Sequence, residues 1–318
     1  LIYEGIDLAR REKVDFVLAL GGGSVMDSAK GIALGAVYDG DFWDFYCGKK
    51  GPVTEALPVG CVVTIAASGS EGSTDSVVTL VTEDGKYYKR CADGDILRPL
   101  FAIMNPELMM TLPPYQTASG IADIMAHCME RYFTHTKDVE LTDRLLEAVM
   151  LTMIKEGRRV MKNPDDYEAR ANIMWAGMLC HQGLAGVGRH EDWATHGLEH
   201  ELSALNPAIT HGAGLAVMFP AWMEYVHTEN PARFAFYGQA VFGLTPTGDV
   251  EADALSAIDE TRAFFASLGM PTTLAELDVE EADIPKMLPT LAQNKGVPFG
   301  SFKKLTLEDA EAIYKLAL

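Results

Sequence analysis

A chain of 318 residues, 48% of them hydrophobic, can bury more than one core, so two domains are expected. Charged side chains make up 22%, which fits a soluble globular protein and excludes a disordered one. A formal net charge of −19 sets the surface against nucleic acid and acidic membranes, so neither is an expected partner.

Residues 14–20 (VDFVLAL) read as a buried strand that runs into Gly21-Gly22-Gly23-Ser24, with a helix over about 25–37. Residues 57–65 (LPVGCVVTI) read as a second strand. The runs 77–81 and 87–90 flank Glu83-Asp84-Gly85, a hairpin signal. Residues 100–104 (LFAIM) form another short strand, ended by Asn105-Pro106. Strands alternating with helices imply an α/β layer with a largely parallel sheet. Pro113-Pro114 marks a change of character, and almost no strand signal follows it. Helical periods cover about 115–134, 139–161, 166–184, 191–205, 211–227, 231–242, 251–268 and 307–317. The expected organisation is an α/β domain over 1–114 and an all-α domain over 115–318.

The cysteines Cys47, Cys61, Cys91, Cys128 and Cys180 form no CxxC pair. They suit reduced thiols of a cytoplasmic protein, not a disulfide frame or a sulfur-rich zinc site. No apolar run approaches the length of a membrane span. Glu4, Asp7 and Arg10 interrupt the N-terminal stretch, which does not read as a signal peptide.

The run from Gly21 to Asp27 follows a strand and opens a helix. Glycines allow a sharp turn and a close approach of phosphate, and the helix N-terminus adds free N–H groups. Ser24 can donate a hydroxyl, and Asp27 reads as a helix cap. By itself the run suits a phosphate cradle and a plain strand–helix turn equally. The loop from Thr64 to Ser73 is rich in hydroxyls and glycine at a strand's carboxyl end, where ligands sit in open α/β sheets. An ordinary polar loop has the same composition. Asp123 and His127 stand four apart in GIADIMAHCMERYF, on one helix face among apolar neighbours. Buried there, they either bond to each other or coordinate something. His196 and His200 are again four apart, and His211 opens the next helical stretch. A donor set of oxygen and nitrogen without thiolate suits Fe(II) or Zn(II) with an open position. His135, His181, His190 and His227 lack such context and read as ordinary core or surface histidines.

Together these residues resemble the iron-containing, or group III, alcohol dehydrogenases, in the branch of butanol dehydrogenases and broad aldehyde reductases. The matching stretches are LALGGGSVMDSAK (18–30), DFWDF (41–45), LPVGCVVTIAASGSE (57–71), FAIMNPELMMTLPPYQTASGIADIMAHCMERYF (101–133), DWATHGLEHELSAL (192–205) and THGAGLAVMFPA (210–221). The resemblance implies a dehydroquinate-synthase-like fold: a nucleotide-binding α/β domain followed by an all-α metal-binding domain. It implies metal ligands at Asp123, His127, His196 and His211, with His200 a non-ligand near the nicotinamide and a candidate proton carrier titrating near the working pH. The pyrophosphate loop falls on Gly22, Gly23, Ser24 and Asp27, and the second cofactor loop on Thr64, Ser68 and Ser73. A cofactor-contacting lysine falls on Lys89. Ser68 stands where the family has threonine, and the stretch from His200 to His211 is one residue longer. The family carries a further N-terminal segment with the first strands and the residues that meet the adenosine ribose. This chain opens at Leu1 near the helix before LALGGGS, so the first domain is expected here without those strands.

The implied activity is hydride exchange between NAD(P)H and an aldehyde/alcohol pair held at a divalent metal, Fe(II) or Zn(II), with NADP favoured over NAD. A small-molecule alcohol or aldehyde is the expected partner, and the resemblance allows a homodimer. Two other readings stand beside it. One is a glycerol-dehydrogenase-like member of the same fold, against which the four-ligand pattern weighs. The other is a non-catalytic metal-binding remnant.

Overall fold

The computed structural model describes residues 1–82 and 87–318. Helix α1 (Ile2–Glu12) turns its buried Ile6 and Ala9 onto α2 (Gly23–Val37). Arg10 donates to the carbonyls of Gly35 (2.7 Å) and Ala36 (3.3 Å), closing the C-terminal end of α2. A short helix, α3 (Trp43–Tyr46), completes a small core of Ile6, Leu34, Phe42, Tyr46, Val53 and Val78.

The strands are β1 (Val17–Gly21), β2 (Val59–Val63), β3 (Asp75–Val81), β4 (Tyr87–Asp93) and β5 (Phe101–Ile103). β1, β2 and β5 form a parallel sheet in that order, with Val17 opposite Val59 and Gly60 opposite Phe101. β3 and β4 pair antiparallel as the expected hairpin, Thr79 opposite Lys89. The expected turn, Glu83-Asp84-Gly85, lies outside the described residues. One expectation is corrected. β1 is not buried on both faces: it is an edge strand among the described residues, with Leu18 56% and Leu20 65% exposed. Lys13, in the left-handed conformation, ends α1 and leaves 14–16 as connector, so the strand starts later than its apolar run.

Helices then dominate: α4 (Pro114–Tyr132), α5 (Glu140–Lys162), α6 (Tyr167–His181), α7 (Ala194–Leu205), α8 (His211–Val226), α9 (Pro231–Tyr237), α10 (Val250–Ser267), α11 (Ile284–Lys295) and α12 (Leu307–Leu316). Every residue of α4 from Thr117 to Tyr132 is buried, and α5 and α8 pack on it. A side chain at Gly212 would strike the Ser119 carbonyl, and one at Gly120 the Ala66 carbonyl. These two close approaches bring the start of α8 and the loop after β2 against α4. The helical period over 231–242 ends as a π-helical turn at Gly238–Phe242. α11 has no counterpart in the sequence reading. Pro285 sits in its first turn, where no N–H is needed, and Pro289 lies inside it.

Candidate active site

The central helix carries Asp123 and His127 one turn apart. Asp123 Oδ1 lies 3.7 Å from His127 Nε2, 3.9 Å from His196 Nε2 on α7 and 3.7 Å from His211 Nε2 at the start of α8. Asp123 Oδ1 thus stands within 3.9 Å of all three imidazoles, at spacings near those of ligands about 2.1 Å from a shared ion. Asp123 Oδ1 and His196 Nε2 are buried and lack any hydrogen-bond partner in the protein. A buried carboxylate oxygen and imidazole nitrogen left unpaired are costly unless something else satisfies them. Burial raises the Asp123 carboxyl, against the pull of His211, so the site lacks positive charge. Burial holds His127 and His196 well below the usual histidine range, which keeps both rings neutral, as ligation requires. The donor set fits a divalent metal ion.

Two carboxylates stand behind these rings. Glu130, on α4, meets His196 Nδ1 at 2.7 Å and accepts the N–H groups of His196 (2.8 Å) and Trp193 (2.6 Å). It supplies the cap that α7 lacks, since Trp193 at the N-cap has none to offer. Glu199 meets His211 Nδ1 and accepts from the Ser203 hydroxyl, two short contacts. A carboxylate on Nδ1 fixes the tautomer that leaves Nε2 free for a metal. Burial pushes the Glu130 carboxyl up to about 8, with Asp192 adding to it and the two backbone N–H groups opposing. Asp123, His127 and His196 stand close enough to one another to hold one ion, and Glu199, His200 and His211 form a second such group.

A cleft of about 550 Å³ joins this point to the α/β layer. Gly23, Ser24, Asp27, Ser68, Ser73 and Lys89 line it on the strand side. Gly22 caps α2 without any side-chain bond, so the first N–H groups of that helix remain free. A side chain at Gly22 would strike Ile65, and a Cβ on Gly23 would lie 2.5 Å from Ser68 Oγ. The glycines are needed because the two loops touch there. Gly22 and Thr64 stand behind the cleft wall, and Thr64 N–H bonds the Gly21 carbonyl at 3.1 Å. Asp27 is not a helix cap. It sits one turn inside α2, accepting the Ser70 hydroxyl (2.6 Å) and the Val77 N–H (3.1 Å). Lys30, fully buried one turn further on, donates to the carbonyls of Ser70 (2.8 Å), Ser73 (3.1 Å) and Asp75 (2.6 Å). Together they fix the loop that holds Ser68 and Ser73.

Lys89 Nζ reaches His211 Nδ1 (3.4 Å) and Glu199 (3.7 Å), tying β4 to the metal side. The His200 ring lies 5.5 Å from that of His211. Its expected titration near the working pH is not what the site gives. Burial, then Lys89 and His211, hold it well below the usual range and neutral.

Several site residues carry no signal that the sequence reading used. His181, set aside there, lies 4.3 Å from the His127 ring at a tilt of 31° and bonds Arg131 (3.2 Å) and Asp75 (3.4 Å). It stands 54 residues from His127, so spacing could not reveal it. Glu130, Glu199 and Lys30 were visible in principle, each three residues beyond a singled-out position on the same helix face. His135 and His227 do occupy structural positions, bonded to the Phe302 carbonyl and to Glu251.

Comparison with known proteins agrees with this architecture. Residues 1–106 match the family model "Iron-containing alcohol dehydrogenase", and residues 117–318 match "Fe-containing alcohol dehydrogenase family, C-terminal". The chain is 39% identical over 317 residues to NADH-dependent butanol dehydrogenase A of Clostridium acetobutylicum, covering 99% of this chain and 80% of that one. It is 37% identical over 320 residues to the NADPH-dependent aldehyde reductase YqhD of Escherichia coli, covering 99% and 81%. The crystal structure of an NADH-dependent butanol dehydrogenase A from Thermotoga maritima superposes with a TM-score of 0.94 at 37% identity, covering 99% and 79%.

Proposed function

The chain belongs to the iron-containing alcohol dehydrogenase family and is a metal- and nicotinamide-dependent oxidoreductase, and on that premise we propose that Asp123, His127, His196 and His211 hold its metal and that it works chiefly as a reductase of short aldehydes. The observation that carries the reading is that three imidazole Nε2 atoms stand within 3.9 Å of the Asp123 carboxylate, in a cleft that a glycine-rich helix start also lines. When bound there, the metal supplies Lewis-acid polarisation of a carbonyl, and the nicotinamide supplies hydride.

The chain's own residues do the rest. The free N–H groups at the start of α2, with Ser24, bind the cofactor pyrophosphate. Ser68, Ser73 and Lys89 line the remaining cofactor path. Glu130 and Glu199 orient His196 and His211. Trp193 and Ile65 wall the cleft and displace water. His200 stays neutral. One ring nitrogen can therefore accept the alcohol proton during oxidation while the other releases one to solvent.

NADP is the favoured cofactor, and Fe(II) or Zn(II) suits the donor set. Parallel turnover with both nicotinamides and metal analysis decide these points. The test of the whole is His196→Ala beside His200→Ala. His196→Ala should lose most of its metal and its NAD(P)H-dependent reduction of butanal. His200→Ala should keep its metal while turnover slows. Wild-type metal stoichiometry in His196→Ala protein would overturn the ligand set.

A further inference from the structure

The cleft lining contains three cations, Lys89, Arg131 and Lys295. Lys89 is engaged by Glu199 and His211. Arg131 is engaged by the His127 carbonyl, His181 and Glu191. Lys295 alone of the three forms no ion pair or hydrogen bond among the described residues. It is the last residue of α11, on the helical wall of the cleft.

Its position is built. Asn294, the preceding residue, donates to Glu201 on α7 (2.8 Å) and accepts from Arg90 on β4 (3.0 Å). Those two bonds fix the end of α11 against both neighbours. The methylenes of Lys295 lie across Gly197, where an added Cβ would be 2.8 Å from Lys295 Cε and 3.2 Å from its Cγ. Glycine is a poor residue inside a helix, yet here it makes room for the lysine. Gly197 directly follows His196, and the Lys295 charge acts on both His196 and His200. The side chain is exposed along part of its length, yet desolvation holds its pKa below the usual lysine value, against the pull of Glu130 and Glu201. Gly23 and Ser24, at the start of α2, line the same cleft.

We propose that Lys295 is a substrate-recognition group that selects aldehydes carrying an anionic group, such as a carboxylate, at the end remote from the carbonyl. This rests on the aldehyde-reductase reading of the same site. The chemistry of reduction is unchanged. The carbonyl carbon takes hydride from the reduced nicotinamide, the oxygen takes a proton, and the remote anion keeps its charge beside the ammonium. An ion pair at this partly exposed ammonium discriminates by about threefold to fivefold.

The test compares kcat/KM for 4-oxobutanoate and for butanal, two four-carbon aldehydes that differ in the remote carboxylate. The wild type should prefer 4-oxobutanoate by about threefold or more. Lys295→Gln should reduce that ratio to near one, and Lys295→Glu should invert it. Lys286→Gln, a surface change at the far end of α11, should leave the ratio as it is. A wild-type ratio near one, or a ratio unmoved by Lys295→Gln, overturns the assignment. So does a Lys295→Gln variant whose only defect is weaker nicotinamide binding, because the ammonium then serves the cofactor. Calorimetric affinity of the metal- and cofactor-loaded protein for 4-hydroxybutanoate against 1-butanol gives a second readout. Protein that turns over neither aldehyde counts against the reductase reading, while the affinity ratio still decides the role of Lys295.

Discussion

Above pH 8, where Glu130 is ionised, replacing it by Gln changes one oxygen to an NH₂ and removes one charge, at nearly constant volume. Glu130 accepts three N–H groups, two on Oε1 and one on Oε2. A glutamine has only one acceptor oxygen, so in either orientation its NH₂ faces a buried donor. With the oxygen toward His196, the Trp193 N–H loses its partner. With the oxygen toward Trp193, both His196 donors lose theirs. An unpaired buried donor costs about 1–3 kcal/mol, and each surviving bond loses the extra strength of a charged acceptor. The metal-free variant should therefore be less stable by about 3 kcal/mol. Metal affinity should fall about tenfold to a hundredfold, because His196 loses the group that fixes its ring. Chelator competition measures the second effect, and thermal melting of metal-free protein the first. Glu130→Gln protein that holds metal within threefold of wild type would refute the argument that Glu130 orients His196.

Gly23→Val should weaken nicotinamide binding at least tenfold, since even a Cβ at Gly23 lies 2.5 Å from Ser68 Oγ; calorimetry should detect this while metal content stays at the wild-type level. Burial pushes the Glu71 carboxyl up from 4.5 to about 7, so the folded chain holds a proton there that the unfolded chain has released. Stability should accordingly fall as pH rises from 4.5 through 7, by roughly 3 kcal/mol in all. Glu71→Gln should remove that slope and melt higher than wild type at pH 8. Denaturant titrations of both proteins across this range check it, and parallel slopes would count against a buried, uncharged Glu71.

The sequence made the polar convergence legible where helical spacing and loop composition carry information. Asp123 and His127 share a face because they lie four apart, and His196 and His211 open elements whose starts were readable. All three histidines lie within 3.9 Å of the Asp123 carboxylate. What stayed hidden depends on tertiary contact. Glu130 and Glu199 follow helical charge patterns that a solvent-facing glutamate would share, and only packing turns them inward. His181 reaches the site because α6 lies beside α4. Prolines at 285 and 289 masked α11, although one occupies a tolerated first turn and the helix packs on α7 regardless. The apolar run of β1 announced a strand correctly but not its exposure, because two alternate side chains face away from the core.

The hairpin of β3 and β4 is strapped to the helices at three points: Asp75 to His181, Lys89 to Glu199, and Arg90 to Asn294. Each strap has one end in the strand-bearing third of the chain and the other in the helical remainder. This bears on recombination between relatives. A crossover near Pro113 separates every strap from its partner, so a chimera inherits the two ends from different parents. Such hybrids should assemble a working cleft only when both parents carry compatible residues at all six positions. Crossovers that move the hairpin together with α6, α7 and α11 keep the straps intact. The unit inherited together is thus set by contacts across the cleft and not by the point where strands give way to helices.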